Sequence, residues 1–85
     1  MEKQWLITFR SVTFAQKGQH ILQTAGILCQ LQRTPKELSR RGCGYCLRMS
    51  EKIAFYAVER FRQEQLPFEK VYALQANGQP EERQL

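Results

Sequence analysis

Apolar and polar residues are arranged along the chain in short segments that predict strands and longer ones that predict helices. Residues 4–9 (QWLITF) are rich in β-branched and aromatic side chains, which is typical of a β-strand. Residues 27–32 (ILCQLQ) alternate between apolar and polar from Leu28 onward, as a half-buried strand does. Two shorter segments, 45–49 (YCLRM) and 69–74 (EKVYAL), predict a third and a fourth strand.

Two longer segments have the periodicity of amphipathic helices. The first covers residues 12–25, where apolar side chains recur at helical spacing along one side. Ser11 can cap its start, and Gly26 ends it, as a glycine after the last turn commonly does. The second helix opens at Ser50 and ends before Pro67, because proline cannot continue a helix.

The predicted order of elements is β-α-β-β-α-β, which defines a single α+β domain. Two crossovers of this length fit a four-stranded antiparallel sheet with both helices on one face, the ferredoxin-like arrangement. The domain is predicted to cover residues 1–74. Residues 75–85 (QANGQPEERQL) are predicted to form a flexible polar C-terminal tail, since they have little apolar surface to bury. The second face of the sheet has no predicted cover, and a homodimer is one way to cover it.

The composition is that of an ordinary globular domain, with 42% hydrophobic and 25% charged residues. No apolar run approaches the roughly 18 residues of a membrane span, and the start MEKQWLITFR does not have the pattern of a secretory signal. We therefore expect no membrane association and a cytoplasmic location. Cysteines in that compartment are more often reduced, metal-bound or catalytic than joined in disulfides, and the three cysteines here are an odd number.

The net charge of +5 is concentrated in one part of the chain. Residues 33–48 contain five basic side chains and a single acid, Glu37, which gives this segment a charge of +4. The rest of the chain is therefore close to neutral. Such a local excess of positive charge indicates an anion, an anionic partner or a thiolate near this segment.

Two cysteines, Cys43 and Cys46, lie at C-x-x-C spacing inside this basic segment. A structural zinc site needs four ligands, and the chain offers only Cys29 and His20 in addition, both distant from the pair in sequence. We therefore expect neither a metal nor another cofactor. A thioredoxin-like redox pair would open a helix, whereas this pair leads into a predicted strand.

A basic β-α-β-β-α-β domain also has the outline of an RNA-recognition motif, and residues 41–48 (RGCGYCLR) follow part of its strand-three pattern. Two of the three aromatic positions in that pattern are occupied by Cys43 and Arg48, so the platform on which bases stack is incomplete. We do not expect nucleic acid to be the partner. A basic RNA- or protein-binding module with structural cysteines is the alternative interpretation of the chain.

Residues 34–48 (TPKELSRRGCGYCLR) resemble the signature of a family of small bacterial domains described as putative Se/S carrier protein-like. In that signature a proline, a basic residue, an apolar residue and a serine precede a Cys-Gly pair, which is followed by an aliphatic and a basic residue. The matching positions here are Pro35, Lys36, Leu38, Ser39, Cys43, Gly44, Leu47 and Arg48. The resemblance covers roughly residues 4–74, with departures in the spacer after Ser39 and at Cys46.

The resemblance implies that Cys43 carries a sulfur or selenium atom as a persulfide or selenopersulfide. Such a carrier needs an accessible thiolate, because the thiolate and not the thiol attacks the donor. Gly42 and Gly44 let the backbone turn tightly beside Cys43 and approach a partner closely. Cys46 is a candidate resolving thiol that can release the atom by forming a disulfide with Cys43.

Three arginines complete the predicted site, and their positive charge favours the anionic form of sulfur. They are Arg40, Arg41 and Arg48. The implied partners are proteins that donate and accept the sulfur or selenium. On this interpretation the chain is a carrier rather than an enzyme with turnover of its own.

Overall fold

A computed structural model describes residues 3–36, 38 and 44–85 of the chain. Its elements are β1 (Gln4–Phe9), α1 (Val12–Thr24), β2 (Gln30–Arg33), β3 (Tyr45–Ser50), α2 (Glu51–Gln63), β4 (Val71–Leu74) and β5 (Pro80–Arg83). The six elements predicted from the sequence are all present. The largest change is at the start of β2, which begins at Gln30 rather than at residue 27.

The sheet has five antiparallel strands in the order β2-β3-β1-β4-β5, with β1 in the centre. The order of the first four strands is compatible with the predicted ferredoxin-like arrangement. The prediction of four strands is wrong, because β5 pairs with β4 from Val71 opposite Arg83 to Leu74 opposite Pro80. The segment predicted as a polar tail therefore contains a strand of the sheet. Gly78, with a φ of 84°, makes the connecting turn possible.

Helix α1 begins and ends where the sequence predicts. The Ser11 hydroxyl accepts a hydrogen bond from the Phe14 backbone N–H at 3.3 Å, which satisfies one of the free donors of the first turn. After the last turn, Gly26 has a φ of 79°, and its N–H donates to the Gln23 carbonyl at 2.9 Å. The predicted N-cap and the predicted glycine stop are both confirmed.

Both helices pack on the same face of the sheet. Alternate residues of β1, namely Trp5, Ile7 and Phe9, are buried in one cluster with apolar residues of α1 and α2. Phe61 of α2 contacts Phe9 edge to face, with the ring centroids 5.8 Å apart. The burial of these large side chains between sheet and helices holds the fold together.

Helix α1 packs closely against this core at Gly18. A Cβ atom at this position would lie 3.0 Å from Cζ of Phe61 and 3.1 Å from both Cδ1 of Leu47 and Cζ of Phe9. We expect Gly18→Ala to lower the free energy of unfolding by about 1 kcal/mol, because overpacking costs about 1–3 kcal/mol and the better helix propensity of alanine returns up to about 1 kcal/mol. Urea unfolding measures this difference. Gln16→Ala, on the exposed side of α1, is the control. A Gly18→Ala protein that is more stable than both the wild type and Gln16→Ala would contradict the close packing at Gly18.

The opposite face of the sheet carries a second, smaller buried cluster. It consists of Leu6, Cys46 and Tyr72, with Leu38 and Leu74 packed against it. Leu38 lies between β2 and β3, so the β2–β3 connection crosses this face at that residue. The face for which the sequence predicted no cover is therefore covered in part by the chain itself.

Candidate functional site

The predicted site lies around the β2–β3 connection, and the structure describes part of it. Gly44, Cys46 and Arg48 are among the described residues. Arg40, Arg41, Gly42 and Cys43 lie outside them, and their predicted roles stay predictions. The site can therefore be built from β2, from β3 and from the ends of the connection.

The two ends of the connection are joined by a backbone hydrogen bond. The N–H of Thr34 donates to the carbonyl of Gly44 at 3.0 Å, which continues the β2–β3 ladder beyond the pair of Arg33 and Tyr45. Gly44 is thereby fixed to the end of the sheet. Cys43 is the residue directly before it in the sequence.

Cys46 lies in β3 and is completely buried, on the face of the sheet away from the helices. Its neighbours on the adjacent strands are Gln32 of β2 and Thr8 of β1. The Cys46 thiol lies 4.0 Å from the carbonyl oxygen of Arg33, to which it donates a weak hydrogen bond. In this arrangement the Cys46 side chain is not exposed to solvent.

The surroundings of Cys46 also control its ionisation. Burial raises the pKa of the Cys46 thiol, because the thiolate loses its hydration in this position. The nearby polar side chains of Gln32 and Thr34 and the charge of Arg48 oppose this shift with smaller effects. The thiol form, which is a poor nucleophile, is therefore favoured at neutral pH.

We expect iodoacetamide to alkylate Cys46 in the native protein at pH 8 about tenfold more slowly than in the unfolded chain, or slower still, since both burial and the raised pKa reduce the accessible thiolate. Because the pKa is raised, the native rate should keep increasing at a pH where that of an ordinary thiol has levelled off. Mass spectrometry of timed samples measures the rate, and the same protein in urea is the control. Equal native and unfolded rates would show that Cys46 is accessible.

Arg48 lies on β3 between Gln30 of β2 and Leu6 of β1. It is two residues from Cys46 on the same strand, so its side chain shares the face of the sheet that carries the Cys46 sulfur. Its charge acts on this buried thiol. Arg48 was predicted to favour an anionic sulfur on Cys43, and that role stays a prediction.

The third cysteine, Cys29, belongs to the other side of the sheet. It is half-buried against the core below the helices, and burial raises the pKa of its thiol. The Gln19 side-chain amide donates to the Cys29 carbonyl at 3.3 Å, which ties the start of β2 to α1. Cys29 and Cys46 are both free thiols.

Metal-ligating side chains do not converge in the described part of the chain. His20 is exposed on α1, and no three His, Cys, Asp or Glu residues among those described are placed to hold one ion. Within the same residues, no helix is long and apolar enough to cross a membrane.

Two polar neighbours of Cys46, Gln32 and Thr34, were not identified from the sequence. The alternation of polar residues along β2 was visible and predicts that Gln30, Gln32 and Thr34 share a face. Which strand they pair with, and in what register, cannot be read from that alternation. Only the pairing of β2 with β3 brings them to Cys46.

The pattern that suggested RNA binding places its stacking aromatics on the sheet, and the described aromatic residues of the strands are buried or partly buried. Tyr45 packs against the core on the helix side of the sheet. Tyr72 lies on the opposite face but is only 8% exposed. A stacking platform needs aromatic rings that bases can reach.

Comparison with known proteins gives the family. The model of the family described as "Putative Se/S carrier protein-like" matches residues 4–73, which is most of the chain. The protein belongs to this family, as the resemblance of residues 34–48 predicted. No curated protein and no solved structure gives a significant match.

Proposed function

We propose that the protein carries a sulfur or selenium atom on Cys43 between a donor protein and an acceptor protein. The observation that carries this proposal is the family match, which spans the whole β2–β3 connection and includes Cys43. The name of the family gives the kind of cargo. The residue and the chemistry are our inference.

The surroundings of the other two cysteines support the choice of Cys43. Cys46 is completely buried and Cys29 is half-buried, and the pKa of each thiol is raised by that burial. Both thiols are therefore poor nucleophiles at neutral pH. These arguments concern only the two described cysteines, and they leave Cys43 as the candidate carrier. Its neighbours Arg40 and Arg41 bring positive charge that favours a thiolate.

The loading step is a thiol–persulfide exchange. The Cys43 thiolate attacks the outer sulfur of a persulfide on the donor, a new S–S bond forms on Cys43, and the S–S bond of the donor breaks. The donor leaves as a thiolate, so the negative charge passes to it and no external oxidant or reductant is needed. Selenium follows the same path with Se in place of the outer sulfur. Gly42 and Gly44 on either side allow the donor backbone to come close.

Release is the same kind of exchange. An acceptor thiolate attacks the outer sulfur on Cys43, a new S–S bond forms on the acceptor, the S–S bond on Cys43 breaks, and Cys43 leaves as a thiolate. The second route uses Cys46 as a resolving thiol. Its thiolate attacks the inner sulfur, which forms a Cys43–Cys46 disulfide and expels hydrosulfide. Because Cys46 is buried with a raised pKa, we propose that this second route is slow until a partner or local opening exposes β3.

Thiol carriage of this kind operates in a reducing compartment, so we propose the cytoplasm as the location. The partners are the donor and acceptor proteins. The ferredoxin-like arrangement, extended by β5, is proposed as the scaffold that presents the connection between β2 and β3.

Incubation of the reduced protein with a cysteine desulfurase and cysteine tests the proposal. We expect the intact mass to increase by one sulfur atom and to return to its starting value on addition of a thiol reductant. An unchanged mass, with a donor shown to be active on another acceptor, would contradict the carrier function. The basic segment would then be tested for RNA binding.

A further inference from the structure

The two edges of the sheet differ in how they are protected. Strand β5 carries Pro80 and the charged residues 81–83, and proline and charges are features that discourage further strand pairing. Its carboxylates at Glu81 and Glu82 also make ion pairs, with Arg83 at 3.5 Å and Lys70 at 3.3 Å. Strand β2, at the other edge, has the sequence QLQR, with no proline and a single charged residue at its end. The less protected edge is the better template for an incoming strand.

The ladder between β2 and β3 shows which backbone groups of this edge are free. In an antiparallel pair, alternate residues direct both their N–H and their C=O groups to the partner strand. Thr34 pairs in this way with Gly44, so Gln32 and Gln30 also face β3. The N–H and C=O of Leu31 and the N–H of Arg33 therefore point away from the sheet. No described residue makes a backbone hydrogen bond with them.

The side chains near this edge indicate what kind of strand fits. Leu28, just before β2, is 85% exposed, the highest value among the large apolar side chains described as exposed. Arg33 and Lys36 are also exposed, and residues 27–36 contain no acid. An incoming segment therefore meets free backbone groups, one apolar contact and only positive charge. A second copy of β2 would place its own positive charges near Arg33 and Lys36, which is unfavourable. An acidic strand would place negative charges there instead.

We propose that the outer edge of β2 binds an extended acidic segment of a partner protein, which joins the sheet as a sixth strand. Backbone hydrogen bonds to Leu31 and Arg33 supply the pairing, and the charge of Arg33 selects for acid. Strand β2 leads directly into the connection that contains Cys43. A partner held here is therefore close to Thr34 and Gly44, the described ends of that connection, and its assignment as the donor or acceptor rests on the proposed function.

A peptide titration tests the docking site. The probe is a nine-residue acetylated peptide of alternating glutamate and valine, and its control has lysine in place of glutamate. We expect the acidic peptide to bind saturably and to shift the amide NMR signals of Leu31 and Arg33, with weaker binding as salt increases. The basic peptide should bind roughly tenfold more weakly or not at all. No saturable binding of the acidic peptide, or shifts confined to β5, would overturn the proposal.

A pair of variants at Arg33 separates backbone pairing from charge. Arg33→Pro removes the outward N–H and leaves the ladder to β3 intact, because the N–H of this residue does not face β3. Arg33→Ala removes the charge and keeps the N–H. We expect both to weaken binding, and Arg33→Pro to bind roughly three- to tenfold more weakly than Arg33→Ala, as the loss of one hydrogen bond predicts. Glu82→Ala on the opposite edge should bind as the wild type does.

Equal binding by Arg33→Pro and Arg33→Ala, when both are folded by amide NMR, would overturn strand addition. Self-association of the wild type that disappears in Arg33→Pro would show that a second copy occupies the edge, and this result also overturns the proposal. Cys43→Ser should bind the peptide normally. The docking site and the carrier function can therefore fail independently, since a protein that binds the peptide and accepts no sulfur contradicts only the latter.

Discussion

Replacement of Phe61 by alanine is expected to lower the free energy of unfolding by about 3–5 kcal/mol. The Phe61 side chain is fully buried on α2, and its ring lies 5.8 Å from that of Phe9 and 6.2 Å from that of Phe68. It also fills the space above Gly18, whose lack of a side chain allows the close approach of α1. Since small domains are stable by only about 5–15 kcal/mol, this loss would leave the protein marginally folded.

Urea unfolding followed by circular dichroism measures the effect, with Phe55→Ala as a matched control. Phe55 lies on the same helix but is 49% exposed, and it contacts Trp5 with the ring centroids 5.3 Å apart. Its replacement should cost about 1 kcal/mol, because the half-exposed ring loses little burial and an aromatic pair contributes about 0.5–1.5 kcal/mol. If both variants lost the same stability, the core would not be organised around Phe61 as described.

The parts of the fold that depend on local signals could be predicted from the sequence. Ser11 and Gly26 define the ends of α1 because a cap and a left-handed glycine act within a few residues. The helical periodicity of α2 likewise needs no information from the rest of the chain. These elements are found where they were predicted.

Strand β5 was missed because nothing in its own sequence requires it. PEER has no apolar alternation, and it becomes a strand through backbone pairing with β4 after the turn at Gly78. The start of β2 was predicted too early for a related reason. The alternation began at Leu28, yet pairing with β3 begins only at Gln30 opposite Arg48, and Leu28 is left exposed.

In the candidate site, too, the local features could be predicted and those that depend on distant strands could not. The C-x-x-C spacing and the surrounding arginines were visible in the sequence, but the burial of Cys46 was not, since it depends on Leu6 and Tyr72 from strands distant in sequence. The sequence left the role of Cys46 open between structure and chemistry. Its burial and the raised pKa of its thiol now favour a structural role in the resting protein.

A Cys43→Ser variant is expected to accept sulfur at no more than the background rate, a decrease of roughly a hundredfold or more, because a serine hydroxyl is not ionised at neutral pH and cannot take over the exchange. Cys46→Ala is the matched control. It removes a buried thiol that the account gives no part in loading, so its initial rate should stay within about threefold of the wild type. Timed intact-mass measurements with the desulfurase and cysteine give all three rates. Loading of Cys43→Ser at the wild-type rate would exclude Cys43 as the carrier.

The most direct test of the central claim is to locate the transferred sulfur in the loaded wild-type protein. After persulfides and thiols are capped with iodoacetamide, trypsin separates residues 18–33, which contain Cys29, from residues 42–48, which contain Cys43 and Cys46. Fragmentation between Gly44 and Tyr45 then distinguishes the last two. The account predicts the additional sulfur on Cys43, with Cys46 and Cys29 carrying only the cap. An additional sulfur on Cys46 or Cys29, with none on Cys43, would contradict it.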